Sequence, residues 1–122
     1  MDKTIFLIHH ACALRSMACD ALSSRGYKVI AAPDASAALQ EMKDGARPDL
    51  IIICLSIPGM DGSPVIRRMR ASPELKTTPV LVVALEEMLD RQMEWKAAGA
   101  TAWVTHPFTP DSFVKMAEMV MF

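Results

Sequence analysis

The chain has 122 residues, with 13 Lys and Arg against 14 Asp and Glu, and a formal net charge of −1 at pH 7. That length predicts one domain, residues 1–122, large enough to bury a core, and 52% hydrophobic against 22% charged residues excludes a disordered or low-complexity chain. The near-zero balance gives no general attraction to nucleic acid or an anionic membrane, and no apolar run reaches the roughly 18–20 residues of a membrane span.

Ile5-Phe6-Leu7-Ile8 is a short unbroken apolar run and predicts a first strand. In residues 13–24, Leu14, Met17, Ala18, Ala21 and Leu22 recur at helical spacing, and Gly26 stops that helix. Residues 27–31 form a second, less apolar strand. Asp34 or Ser36 can cap a helix that reaches Lys43 and is closed by Asp44-Gly45. The strongest strand signal is Leu50-Ile51-Ile52-Ile53-Cys54-Leu55, bounded by Pro48 and Pro58-Gly59. A helix over 63–71 follows, with Pro64 tolerated in its first turn. Residues 79–84 form a fourth, fully apolar strand. Residues 86–98 read as a helix ending at Gly99, 101–105 as a shorter fifth strand, and 110–121 as a last helix.

Strands alternating with helices give βαβ units, a single parallel sheet and helices on both faces: an α/β, doubly wound, flavodoxin-like fold. Fully apolar strands are buried on both sides, so the first, third and fourth are central and the mixed second and fifth lie at the edges. With right-handed crossovers the order 2-1-3-4-5 satisfies this. In such a sheet ligands sit outside the carboxyl ends of the strands, near the order reversal between strands one and three. That rule nominates His9 and His10, Cys54 and Ser56, Ala84, and Thr105 and His106.

The three cysteines, Cys12, Cys19 and Cys54, show no CxxC pairing, and the N-terminus (MDKTIFLIHH) is too short and mixed for a signal peptide. A reduced, cytoplasmic protein is the expectation. Of the ten methionines, Met69, Met88, Met116 and Met119 fall in apolar stripes of helices and read as core filler, with a Met-rich binding surface as the sharper alternative. Arg67-Arg68-Met69-Arg70 reads as a solvated helix face, and without aromatic neighbours it is no nucleic-acid signal. No GxGxxG follows strand one and no GxxxxGK[ST] occurs, so dinucleotide and P-loop chemistry are excluded.

All three histidines and Cys54 fall on the one carboxyl edge. Imidazole and thiolate suit Zn or Cu and are poor for Mg, which wants carboxylate oxygen. The plainer reading is that they fill a disused pocket, with Cys54 a small hydrophobe.

Several segments together resemble the CheY-like response-regulator receiver domain over essentially the whole chain. They are Pro48-Asp49-Leu50 leading to Ile57-Pro58-Gly59-Met60-Asp61-Gly62, then Arg70-Ala71-Ser72-Pro73-Glu74-Leu75-Lys76 before Pro79-Val80, Ala97-Ala98-Gly99-Ala100, and Pro107-Phe108. The resemblance implies an acidic pair that holds Mg after strand one, where this chain has His9 and His10. It implies a phospho-acceptor aspartate at Cys54, a Ser/Thr at Ala84 and a lysine at His106. It also implies a switch aromatic at Trp103, and a partner surface on the fourth helix, fifth strand and fifth helix. There Trp103, Trp95 and the Met-bearing helices would build an apolar patch, with simple packing of Trp95 as the alternative.

The expectation is therefore a pseudo-receiver of two-component-type signal transduction. It works by protein–protein contact without aspartate phosphorylation, is not an enzyme, needs no cofactor, disfavours Mg, and binds neither nucleic acid nor membrane. A homodimer is compatible with it, and no output domain is visible in the sequence, with a piece of a longer protein as the alternative. The alternative is a transition-metal (Zn or Cu) or redox sensor with His9, His10, Cys54 and His106 as ligands and Cys12 as a substitute. A lower option is an enzyme with Cys54 as nucleophile.

Overall fold

The computed structural model describes residues 3–9, 15–54, 62–84, 86–105 and 109–121. The strands are β1 (Thr4–His9), β2 (Lys28–Ala32), β3 (Leu50–Cys54), β4 (Val80–Ala84) and β5 (Ala102–Thr105). The helices are α1 (Arg15–Ser23), α2 (Ala35–Lys43), α3 (Ser63–Arg70), α4 (Gln92–Ala98) and α5 (Pro110–Met121). Short 3-10 helices cover Pro73–Leu75 and Glu86–Arg91. The sheet order is β2-β1-β3-β4-β5 with every pair parallel, as the apolar character of the strands predicted.

Burial follows the apolar pattern. Every residue of β3 and β4 is buried, whereas β5 is half-buried throughout and β2 begins with an exposed lysine. Alternation along the strands divides the core in two, because successive side chains point to opposite faces. Ile51, Ile53, Val80, Val82 and Ala84 pack with Ala38, Met42, Ile66, Met69 and Trp95 beneath α2, α3 and α4. Leu50, Ile52, Cys54, Leu81 and Val83 pack with Ala18, Leu22, Phe113 and Ala117 beneath α1 and α5.

Polar side chains hold the amino ends of the strands. The Asp49 carboxylate accepts a hydrogen bond from the Thr4 amide at 2.8 Å, tying the approach to β3 to the start of β1. Thr101 Oγ1 accepts from the Val80 amide at 3.0 Å. Asp34, and not Ser36, caps α2, its carboxylate accepting from the Ala37 amide at 2.8 Å.

Three sequence expectations change. The helix predicted over 86–98 is α-helical only from Gln92, and its first half is the 3-10 segment Glu86–Arg91. No side chain caps α4 at Arg91, so the helix start is weak and i→i+3 bonds take up groups an α-helix would leave unpaired. Arg70 is not on a solvated face. It is half-buried, and its Nε and Nη2 donate to the Gly99 carbonyl at 3.1 and 2.8 Å while Nη1 donates to the Leu75 carbonyl. The methionines divide: Met69 is buried, Met116 half-buried and Met119 76% exposed, so Met119 is not core filler. The side chain of Met88 lies outside the described residues.

Gly99 ends α4 at φ 119°, a left-handed cap, and a Cβ there would stand 2.9 Å from Arg70 Cγ. Gly99→Ala therefore combines backbone strain with a clash against a pinned side chain, and a loss above ~1 kcal/mol is expected in chemical denaturation.

At the opposite side of the fold Tyr27 donates to Glu118 Oε2 at 2.6 Å, and Arg25 pairs with Glu118 Oε1 at 3.2 Å. The Tyr27 hydrogen bond, with Arg25 adding to it, holds the Glu118 carboxyl below the usual carboxylate range, and the same bond raises the Tyr27 phenol. A depressed carboxyl contributes stability above its unfolded pKa that is lost as pH falls through its folded pKa. Tyr27→Phe should move the Glu118 carboxyl up toward its ordinary value in an NMR titration and flatten that acid limb. An unchanged midpoint would count against the bond.

Candidate functional site

The carboxyl edge is built by the ends of four strands. β1 closes at His9 and β3 at Cys54, and these two residues are register partners, one strand spacing apart. Cys54 also pairs with Val83, while Ala84, the last residue of β4, pairs with Thr105 of β5. The sheet thus brings the backbones of His9, Cys54, Ala84 and Thr105 to one edge, as the topology rule predicted. His10, Cys12, Ser56 and His106 lie outside the described residues, and so does the side chain of His9.

Cys54 is 3% exposed and belongs to the apolar cluster under α1 and α5. Neither Cys19 nor Cys54 forms a disulfide. Ala84 is fully buried and faces the opposite layer, under α2, α3 and α4. Its methyl offers no hydroxyl at the end of β4. At the described strand ends the residues are therefore imidazole-bearing, thiol, methyl and hydroxyl, with no carboxylate. Among the described residues no group of three His, Cys, Asp or Glu could hold a metal ion. Of the four expected ligands only Cys54 has a described side chain, so the Zn or Cu reading gains no support.

Trp103 is half-buried on β5, and its ring stands edge-on to Trp95, with centroids 6.1 Å apart and planes at 67°. Trp95 is fully buried and so cannot contribute to an exposed apolar patch. The helical spacing that sends Trp95 outward or inward is the same, and contact with the sheet decides it. Among the described residues the exposed large apolar side chains are instead Met93 on α4 and Met119 on α5. The tie from Arg70 to Gly99 carries no local signal in the sequence, because donor and acceptor are 29 positions apart. Among the described residues no helix is long and apolar enough to cross a membrane.

The chain is similar to curated and structurally solved proteins. The phosphate regulon transcriptional regulatory protein PhoB of Pseudomonas aeruginosa is 26% identical over 121 residues, which cover 99% of this chain and 52% of that protein. The chain spans about half the length of the first curated relatives it matches. The chemotaxis response regulator CheY4 of Vibrio cholerae superposes with a TM-score of 0.85 at 30% identity, covering 98% of this chain and 99% of the other. The receiver domain of sensor histidine kinase PA1611 from Pseudomonas aeruginosa, solved with a magnesium ion coordinated in its active site cleft, shares the fold. Its TM-score is 0.81 at 19% identity, over 99% of this chain and 98% of that one. The response regulator receiver domain model matches residues 5–118, and the chain belongs to that family, the receiver modules of two-component signalling.

Proposed function

We propose that this chain is a receiver module that signals by protein contact and takes no phosphoryl group on an aspartate. The observation that carries the reading is Cys54: a buried thiol closes β3, at the position where the family resemblance calls for the acceptor carboxylate. An acyl phosphate forms only on a carboxylate, so that position has no acceptor oxygen. The residues also fit magnesium poorly. His9 and His10 replace the acidic pair, and a hard cation that prefers six oxygen ligands gains little from imidazole nitrogen and thiol sulfur. Ala84 and His106 remove the hydroxyl and the lysine ammonium that the resemblance assigns to the phosphoryl group. The module is not an enzyme on this reading, and it works in the cytoplasm.

The partner is a protein that meets the face of α4, β5 and α5, elements on which Trp103 is half-exposed and Met93 and Met119 are exposed. A second copy of the chain is compatible with the same face.

Beryllofluoride with Mg²⁺ tests the missing acceptor, because this phosphoryl mimic is held by an acceptor carboxylate oxygen. The amide NMR spectrum of the full chain should stay unchanged on titration. Saturable shifts spreading from the end of β3 would overturn the reading.

A further inference from the structure

We propose that Trp95 and Arg70 together lock the junction of α4 and β5, so that Trp103 keeps one orientation and the face around it is presented constitutively. The inference rests on the reading of the chain as a module without an acceptor aspartate, and it supplies the regulation of that module: the partner face is fixed by packing.

Three observations converge on this junction. First, Trp95 is the largest side chain in the core, fully buried among residues of β3, β4 and α3 that include Ile53, Ile66, Met69 and Val82. Its ring packs in the layer between α4 and the sheet. Second, Trp103 stands opposite Val82 in the sheet and packs its ring on Trp95 in a T-shaped contact. Any inward rotation of Trp103 must displace Trp95, and Trp95 moves only with α4. Third, α4 is pinned at its carboxyl end. Two guanidinium nitrogens of Arg70 donate to the Gly99 carbonyl and a third donates to that of Leu75, so α3, the 3-10 turn Pro73–Leu75 and the end of α4 are tied to one side chain. The contact is tight enough that a single added carbon at Gly99 would strike Arg70 Cγ at 2.9 Å. A close-packed interior leaves little room for one side chain to move without its neighbours.

The Trp95 indole supports a role of volume over polarity. Its Nε1 is buried without a hydrogen-bond partner among the described residues, so it gains nothing from the donor a tryptophan brings. An aromatic ring without that donor should serve as well.

The test is ¹⁹F NMR on the full chain labelled with fluorotryptophan, with Trp103→Phe used to assign the two resonances. One narrow Trp103 line is expected in the unsubstituted chain and in Trp95→Phe. Trp95→Ala, which opens the space, should split or broaden that line. If Trp95→Ala does not fold, Trp95→Leu and Arg70→Ala are read in its place, each releasing one of the two restraints. Several Trp103 lines in the unsubstituted chain would overturn the lock, and so would a single unshifted line in every variant. Phosphorylation of an aspartate would defeat the functional reading without altering the number of Trp103 lines, so the two failures are distinguishable.

Discussion

Trp95→Ala should cost about 3–5 kcal/mol of stability, the range for truncating a buried tryptophan or phenylalanine to alanine. The ring is fully buried, and its loss leaves a cavity walled by β3, β4 and α3, elements whose backbones cannot collapse inward without breaking sheet register. Trp95→Phe should cost much less. It loses part of the packing but also relieves a buried indole N–H without a partner among the described residues, a feature that costs about 1–3 kcal/mol. Urea denaturation of the three proteins reads both differences. A Trp95→Ala loss below that of Trp95→Phe would mean that the site relaxes freely and that the tight core at α4 is misjudged.

Cys54→Asp should also destabilise the fold, and in a pH-dependent way. It places a carboxyl where only 3% of the residue is exposed and the neighbours include Leu50, Ile52 and Val83. Burial disfavours the charged form, so the new carboxyl has a folded-state pKa above its unfolded value of about 3.9. Such a group leaves stability intact below the unfolded pKa and removes it as pH rises toward the folded one. Each tenfold weakening of the acid on folding removes ~1.4 kcal/mol once the pH lies above both values, and a loss on the order of 3 kcal/mol is expected at neutral pH. Denaturation at several pH values checks the slope; a variant equally stable from acid to neutral pH would mean that the end of β3 is wetter than its burial shows. The same substitution should not restore phosphoryl transfer by itself, because His9, His10 and His106 still supply no hard ligand set and no lysine. Combining it with His9→Asp, His10→Asp, Ala84→Thr and His106→Lys should, read as an acyl-phosphate adduct by intact mass.

The sheet was legible because burial on two faces leaves a plain mark. The unbroken apolar runs of β3 and β4 and the mixed character of β2 and β5 together dictate the order, and Pro110 marks the start of α5. The strand ends His9, Cys54 and Ala84 were legible for the same reason, since a parallel sheet places its carboxyl ends along one edge. What escaped was tertiary. Nothing in Arg67-Arg68-Met69-Arg70 distinguishes an arginine in water from one that caps a helix 29 residues further on. Tyr27 and Glu118 are separated by 91 positions, and their contact depends on how α5 lies across the start of β2. The 3-10 segment Glu86–Arg91 is made of residues that favour an α-helix, and only the uncapped start at Arg91 marks the break. How the three imidazoles stand toward Cys54 is a matter of residues outside the described ones.

The proposal that the chain takes no phosphoryl group on an aspartate is tested most directly by intact-mass measurement of the full chain after incubation with acetyl phosphate and Mg²⁺, beside an ordinary receiver domain as the positive control. The chain is expected to keep its unmodified mass while the control gains a phosphoryl group. A phosphoryl adduct on this chain that hydroxylamine releases, the signature of an acyl phosphate, would contradict the account.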